Sequence, residues 1–173
     1  ERFVSFNKLW QEKYGWDLYI ELSHDDKYKL DNIHLLTSDY NPSDFDTQVL
    51  WSAIIFIDSL NKKGLESQLD PTDSNVSEYL TQKKKEKLSE LASLDCMELF
   101  LKTRSHDCPE MIDFLRKLQL LRSTGVAHRK SRSGTNKAWE YFELDSKNHY
   151  EVLEDIFIKL IKTLNTLELF FLK

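Results

Sequence analysis

Apolar side chains recur every three to four positions along most of this chain, and the elements they predict are mainly α-helices. Phe3, Phe6, Trp10 and Tyr14 share one face of a short first helix that Gly15 can end. Trp16, Leu18, Ile20 and Leu22 then alternate with polar residues, the period of a short strand. From His24 to Asn41 polar and acidic residues dominate, which predicts an irregular connection with a helical turn around Leu30 to Leu36.

Pro42-Ser43-Asp44-Phe45-Asp46 reads as a helix start, with Ser43 as the cap and Asp46 as the returning carboxylate. Phe45, Val49, Ala53, Phe56, Ile57 and Leu60 give that helix its apolar stripe, and Gly64 is expected to stop it. After the turn chemistry of residues 70–75, a helix is predicted from Lys83 to Arg104, with Leu88, Leu91, Leu94 or Asp95, Leu99 and Phe100 inward. Pro109 fits the first turn of the next helix, continued by Met111, Phe114, Leu115, Leu118 and Leu121 towards Gly125. Arg129 to Lys137 is polar and basic and reads as an exposed loop, with Trp139 to Leu144 as a brief extended segment. Asp145 or Ser146 then opens a long last helix, whose stripe is Tyr150, Leu153, Phe157, Leu160, Ile161, Leu164 and Leu167. The fold class is therefore mainly α, a four- to five-helix antiparallel bundle behind an irregular N-terminal extension that holds the short strand.

Composition agrees, because 40% hydrophobic residues can fill a core while 4 Gly and 3 Pro are too few for a turn-dense β architecture. Two cysteines make no disulfide framework, and no apolar run reaches the roughly 18–20 residues of a membrane span, so a cytoplasmic, non-membrane protein is expected. A chain that starts at Glu1 and ends within an apolar helix at Lys173 suggests a piece of a larger protein.

Charge changes the picture more. The net −5 is the sum of opposed regions: residues 1–80 hold seven Lys/Arg against fifteen Asp/Glu, whereas residues 109–137 hold seven against two. A local field of +5 suits an anionic partner despite the acidic total. Within it, Arg122-Ser123-Thr124-Gly125-Val126-Ala127-His128 places an arginine and a histidine six positions apart at the end of an amphipathic helix.

That segment resembles the Arg-x(4–6)-His motif of HEPN domains, compact bundles of four or five helices with the motif late in the chain. The resemblance covers roughly residues 42–173 and leaves residues 1–41 as an extension or the end of a preceding domain. It implies a metal-independent endoribonuclease acting as a homodimer on RNA, without cofactor, in a defence or toxin–antitoxin setting. Its partners would then include an antitoxin or other domains of a larger protein. Arg122 would hold the scissile phosphate, and His128 would transfer a proton at the 2′-hydroxyl or the leaving oxygen. Ser123 stands where active members commonly carry an amide or an acid, and it joins the candidate catalytic set as a hydrogen-bonding group. Arg129, Lys130, Arg132 and Lys137 would grip the RNA backbone. On an ideal helix, positions six apart are separated by about 240°, so joint action of Arg122 and His128 needs a bend at Gly125 or a partner subunit. The alternative from a different class is a non-catalytic helical module that binds RNA or a protein through the same surface.

Other constellations are weaker. His24, Asp25, Asp26, Asp31 and His34 have no metal-ligand spacing, so no metal site is expected. Cys96, His106 and Cys108 are too few and scattered for structural zinc. Lys83, Lys84, Lys85 and Lys87 read as a solvated helix start, and Trp139 and Tyr141 as core aromatics rather than base-stacking platforms. No phosphate-cradling glycine loop and no nucleophile elbow is present.

Overall fold

The computed structural model describes residues 1–37, 40–124 and 133–172. It is mainly α-helical. Among the described residues the helices are α1 (Arg2–Tyr14), α2 (His24–Asp31), α3 (Pro42–Ala53), α4 (Lys62–Ser67), α5 (Ser74–Gln82), α6 (Ser93–Lys102), α7 (Pro109–Thr124), α8 (Ser133–Tyr141) and α9 (His149–Phe171). A π-helical turn, Ile54–Asp58, follows α3, and a 3₁₀ turn, Leu88–Glu90, precedes α6. The chain forms two compact units, one from Glu1–Glu21, Ser59–Ile112 and Leu164–Lys173, the other from Leu22–Asp58 and Asp113–Thr163.

The first unit is built on Trp10, which is fully buried with the rings of Phe6, Trp16, Phe100 and Phe171 at 5.3–6.1 Å. Gly15 ends α1 with φ 73°, as the sequence predicts. The alternating stretch after it forms no strand among the described residues, but one isolated antiparallel bridge, Tyr19 to Leu60. Two backbone bonds flank that bridge, from the Ile20 N–H to the Ser59 carbonyl at 2.7 Å and from the Asn61 N–H to the Leu18 carbonyl at 2.8 Å, and side chains add to them. Asn7 exchanges two with the Tyr19 backbone, at 2.9 and 3.2 Å, and the Asn61 amide donates to the Asp17 carbonyl at 2.8 Å. Gly64 does not stop a helix; it lies inside α4, where a Cβ would come within 2.6 Å of the Trp16 ring and 2.7 Å of the Asn61 amide.

The helix predicted from Lys83 to Arg104 is broken. Chain reversal at Lys84 (φ 54°) ends α5, with the Lys85 N–H donating to the Leu80 carbonyl and the Lys84 N–H to Thr81, at 2.9 and 3.0 Å. This is a Schellman cap with lysine in the left-handed position usually held by glycine. Ser105 (φ 59°) closes α6 and Glu143 (φ 54°) closes α8 by the same pair of bonds. The basic run is thus a helix end rather than a helix start, and Lys83 is committed to Asp95 at 2.8 Å.

The second unit carries α3, whose cap is Asn41 with Asp44 returning the bond, not Ser43 with Asp46. The stripe Phe45, Val49, Ala53, Phe56 and Ile57 is buried as predicted. Its last part needs the π turn: Ile55, Phe56 and Ile57 are consecutive and all buried, more than one face of an α-helix can hide. The connection from His24 contains α2, capped by Ser23, earlier than the turn expected around Leu30 to Leu36. The extended segment expected at Trp139 to Leu144 is instead the end of α8 and its cap, and residues 133–137, expected as loop, begin that helix. The long helix starts at His149, and its buried stripe runs through Val152 and Ile156, while Tyr150 and Ile161 are 41% and 51% exposed.

Candidate functional site

Arg122 lies in the last turn of α7, where the helix dipole favours a cation. Its side chain is 22% exposed. The Nη1 group donates to the Oδ2 carboxylate oxygen of Asp58, the final residue of the π turn. A guanidinium has five N–H donors in a planar fork, and Asp58 engages it from one edge. The other N–H groups have no partner among the described residues. Among the described residues Arg122 is therefore oriented without being saturated.

Asp58 is a partner of Arg122 that sequence reasoning missed. Sixty-four positions separate it from Arg122, and an exposed aspartate after an apolar run carries no signal of its own. What aims it is the wider π turn, which shifts the register after Ala53. With 45% of its side chain exposed, Asp58 forms an ion pair worth at most about 1 kcal/mol, so an incoming phosphate can share or replace it.

Ser123 is exposed, and its Oγ donates to the Leu120 carbonyl at 2.8 Å. The hydroxyl proton is used within the helix, leaving the oxygen lone pairs free to accept. Lys137 is exposed on α8. His128, Arg129, Lys130 and Arg132 lie outside the described residues. The structure thus brings Arg122 together with Asp58 and places Ser123 next in the same turn.

On α8, the Tyr141 ring lies 4.6 Å from the Lys159 ammonium, which also faces Phe114 and Phe142 at 5.7 and 5.8 Å. Tyr141 is occupied by this cation–π cluster rather than offered to a base. His106 stacks on Phe170 at 4.3 Å. Cys96 is buried, and burial pushes its thiol up to about 11, which makes it a poor nucleophile. Asp26 is bonded to Lys29 at 2.5 Å and to Ser23 at 2.8 Å, and both bonds lower its carboxyl. Among the described residues no group of three or more His, Cys, Asp or Glu could hold a metal ion, and no helix is long and apolar enough to cross a membrane.

Compared with known proteins, the chain matches no family model, no curated protein and no solved structure.

Proposed function

We propose that this chain is a HEPN-type endoribonuclease that cleaves RNA without a metal and works as a homodimer, with Arg122 to His128 as its motif. The observation that carries the proposal is the half-buried Arg122 guanidinium, held by Asp58 on one edge and, among the described residues, unpaired on the rest. Such a fork is suited to two oxygens of a phosphodiester, and it is positioned before substrate arrives. Asp58 acts as a positioning residue: it fixes the plane of the guanidinium and yields part of it to the phosphate.

The rest of the reaction falls to His128, six residues on. Its imidazole takes the proton of the 2′-hydroxyl, whose oxygen attacks the adjacent phosphorus. The 5′ oxygen leaves as the imidazolium returns that proton to it, and a 2′,3′-cyclic phosphate results. Arg122 balances the charge that builds on the phosphoryl oxygens. General acid–base help of this kind is worth about 10²–10⁴ in rate. Arg129, Lys130, Arg132 and Lys137 supply the backbone contacts.

Incubating the protein with varied RNAs in chelator tests the proposal. Wild type cuts, and Arg122→Ala does not, although its circular dichroism is unchanged. A dimeric wild-type protein that leaves every RNA intact removes the enzyme reading. One observation favours a second reading, an RNA-binding module without chemistry: the Ser123 hydroxyl donates to its own helix, so it is not a ready proton donor to a substrate. Salt-sensitive RNA binding with no cleavage selects that reading.

A further inference from the structure

The first unit contains a groove of about 790 Å³ between α4, α5 and the segment leading to the 3₁₀ turn. That volume is in the range of small-molecule sites, roughly 300–1,000 Å³. Lys63, Lys85 and Lys87 all line it. Neighbouring lysines show what is unusual about these three. Lys62 meets Glu66 at 3.4 Å, Lys83 meets Asp95 at 2.8 Å and Lys102 meets Glu98 at 3.0 Å. Lys63, Lys85 and Lys87 meet no carboxylate among the described residues, and all three are exposed. The groove also receives Glu66, already neutralised by Lys62, and Glu86, so its lining has an excess of positive charge.

Backbone geometry gathers these ammonium groups. The left-handed turn at Lys84 folds the basic run back against α5, so that Lys85 and Lys87 line the groove and Lys84 does not. Three like charges sharing one concavity repel one another, and a multivalent anion relieves that repulsion. The apolar part of the wall is Leu80, Leu88 and Pro71, with no aromatic ring on which a base could stack. Recognition must therefore be directed at phosphate, for which lysine is a suitable point charge.

We infer that this groove binds consecutive phosphates, as carried by a nucleoside triphosphate or by the 5′-triphosphate end of an RNA. The site shares no residue with the proposed cleavage chemistry. Titration calorimetry of the whole chain with tripolyphosphate at low salt tests it. Saturable one-to-one binding is expected, weakened at least ~10-fold by Lys85→Glu with Lys87→Glu, because like charge then faces the ligand. Lys84→Glu makes the same kind of charge change outside the groove, at a backbone conformation that Glu143 itself adopts, and is expected to weaken binding less than ~2-fold. Arg122→Ala leaves the affinity unchanged, which keeps the result apart from the cleavage proposal. Displacement of tripolyphosphate by ATP points to a nucleotide, and displacement by triphosphorylated but not 5′-hydroxyl RNA points to an RNA end. Absence of saturable binding, or equal losses for Lys84→Glu and the groove pair, overturns the inference.

Discussion

Each unit carries an arginine at the C-terminal end of a helix, and the two are used in opposite ways. Arg104, just past α6, lies 3.8 Å over the Phe100 ring and donates to the Phe100 and Gln68 carbonyls at 3.5 and 3.4 Å. Arg122 has no ring beneath it among the described residues and one carboxylate beside it. The first guanidinium is dispersed over backbone and aromatic partners and serves packing. Among the described residues the second is held by a single displaceable group. A basic residue at a helix end is explained by the dipole in both cases; what separates them is how many donors the fold leaves unspent.

The comparison can be broken most decisively at Arg122. Arg122→Ala is expected to lower RNA cleavage by about 10²–10³, the scale of losing one charge-stabilising donor, while the melting temperature stays within a degree or two. Loss of stability in place of loss of cleavage would make Arg122 another Arg104. The reverse is expected of Arg104→Ala: cleavage persists, and urea denaturation shows about 1–2 kcal/mol less stability from the lost stacking and stem packing. An unchanged denaturation midpoint would show that the Phe100 contact contributes nothing.

Asp58→Asn sharpens the account further. It keeps the size of the side chain but removes the ion pair, so RNA binds a few-fold tighter while turnover falls about tenfold, or 1.4 kcal/mol in barrier. Equal turnover in the two proteins would remove Asp58 as a positioning residue. The smallest effect concerns the cap beside Arg104. Ser105→Gly relieves a left-handed serine and should raise stability by about 0.5–1 kcal/mol, read as a higher denaturation midpoint. A drop there would mean that the side chain, and not the backbone turn, holds the end of α6.

Much of the helical body was legible because burial of one face imposes a period that residues cannot disguise. Phe45, Val49, Ala53, Phe56 and Ile57 show this, and so do Phe114, Leu115, Leu118 and Leu121. Helix ends were harder. Glycine is the usual sign of a left-handed stop, and here Lys84, Ser105 and Glu143 take that conformation while Gly64 sits mid-helix to make room for Trp16. The alternation expected at Trp16 to Leu22 fails after Leu18, because Tyr19 is buried and Ile20 is 49% exposed; the backbone there pairs over one bridge with residues 59–61 and with the Asn7 and Asn61 side chains. In the candidate site, Arg122 is singled out by its spacing to His128 in the sequence, whereas its partner Asp58 arrives through a π turn that no local pattern announces.

The central claim is that a guanidinium at Arg122 and an imidazole at His128 together cleave RNA. Its most direct test is single-turnover digestion of a labelled RNA in EDTA by wild type and His128→Ala, with the fragment ends analysed chemically. The account predicts 2′,3′-cyclic phosphate ends from wild type and a rate about 10²–10⁴ lower for the variant. Equal rates in the two proteins, or cleavage that stops when metal is removed, would contradict it.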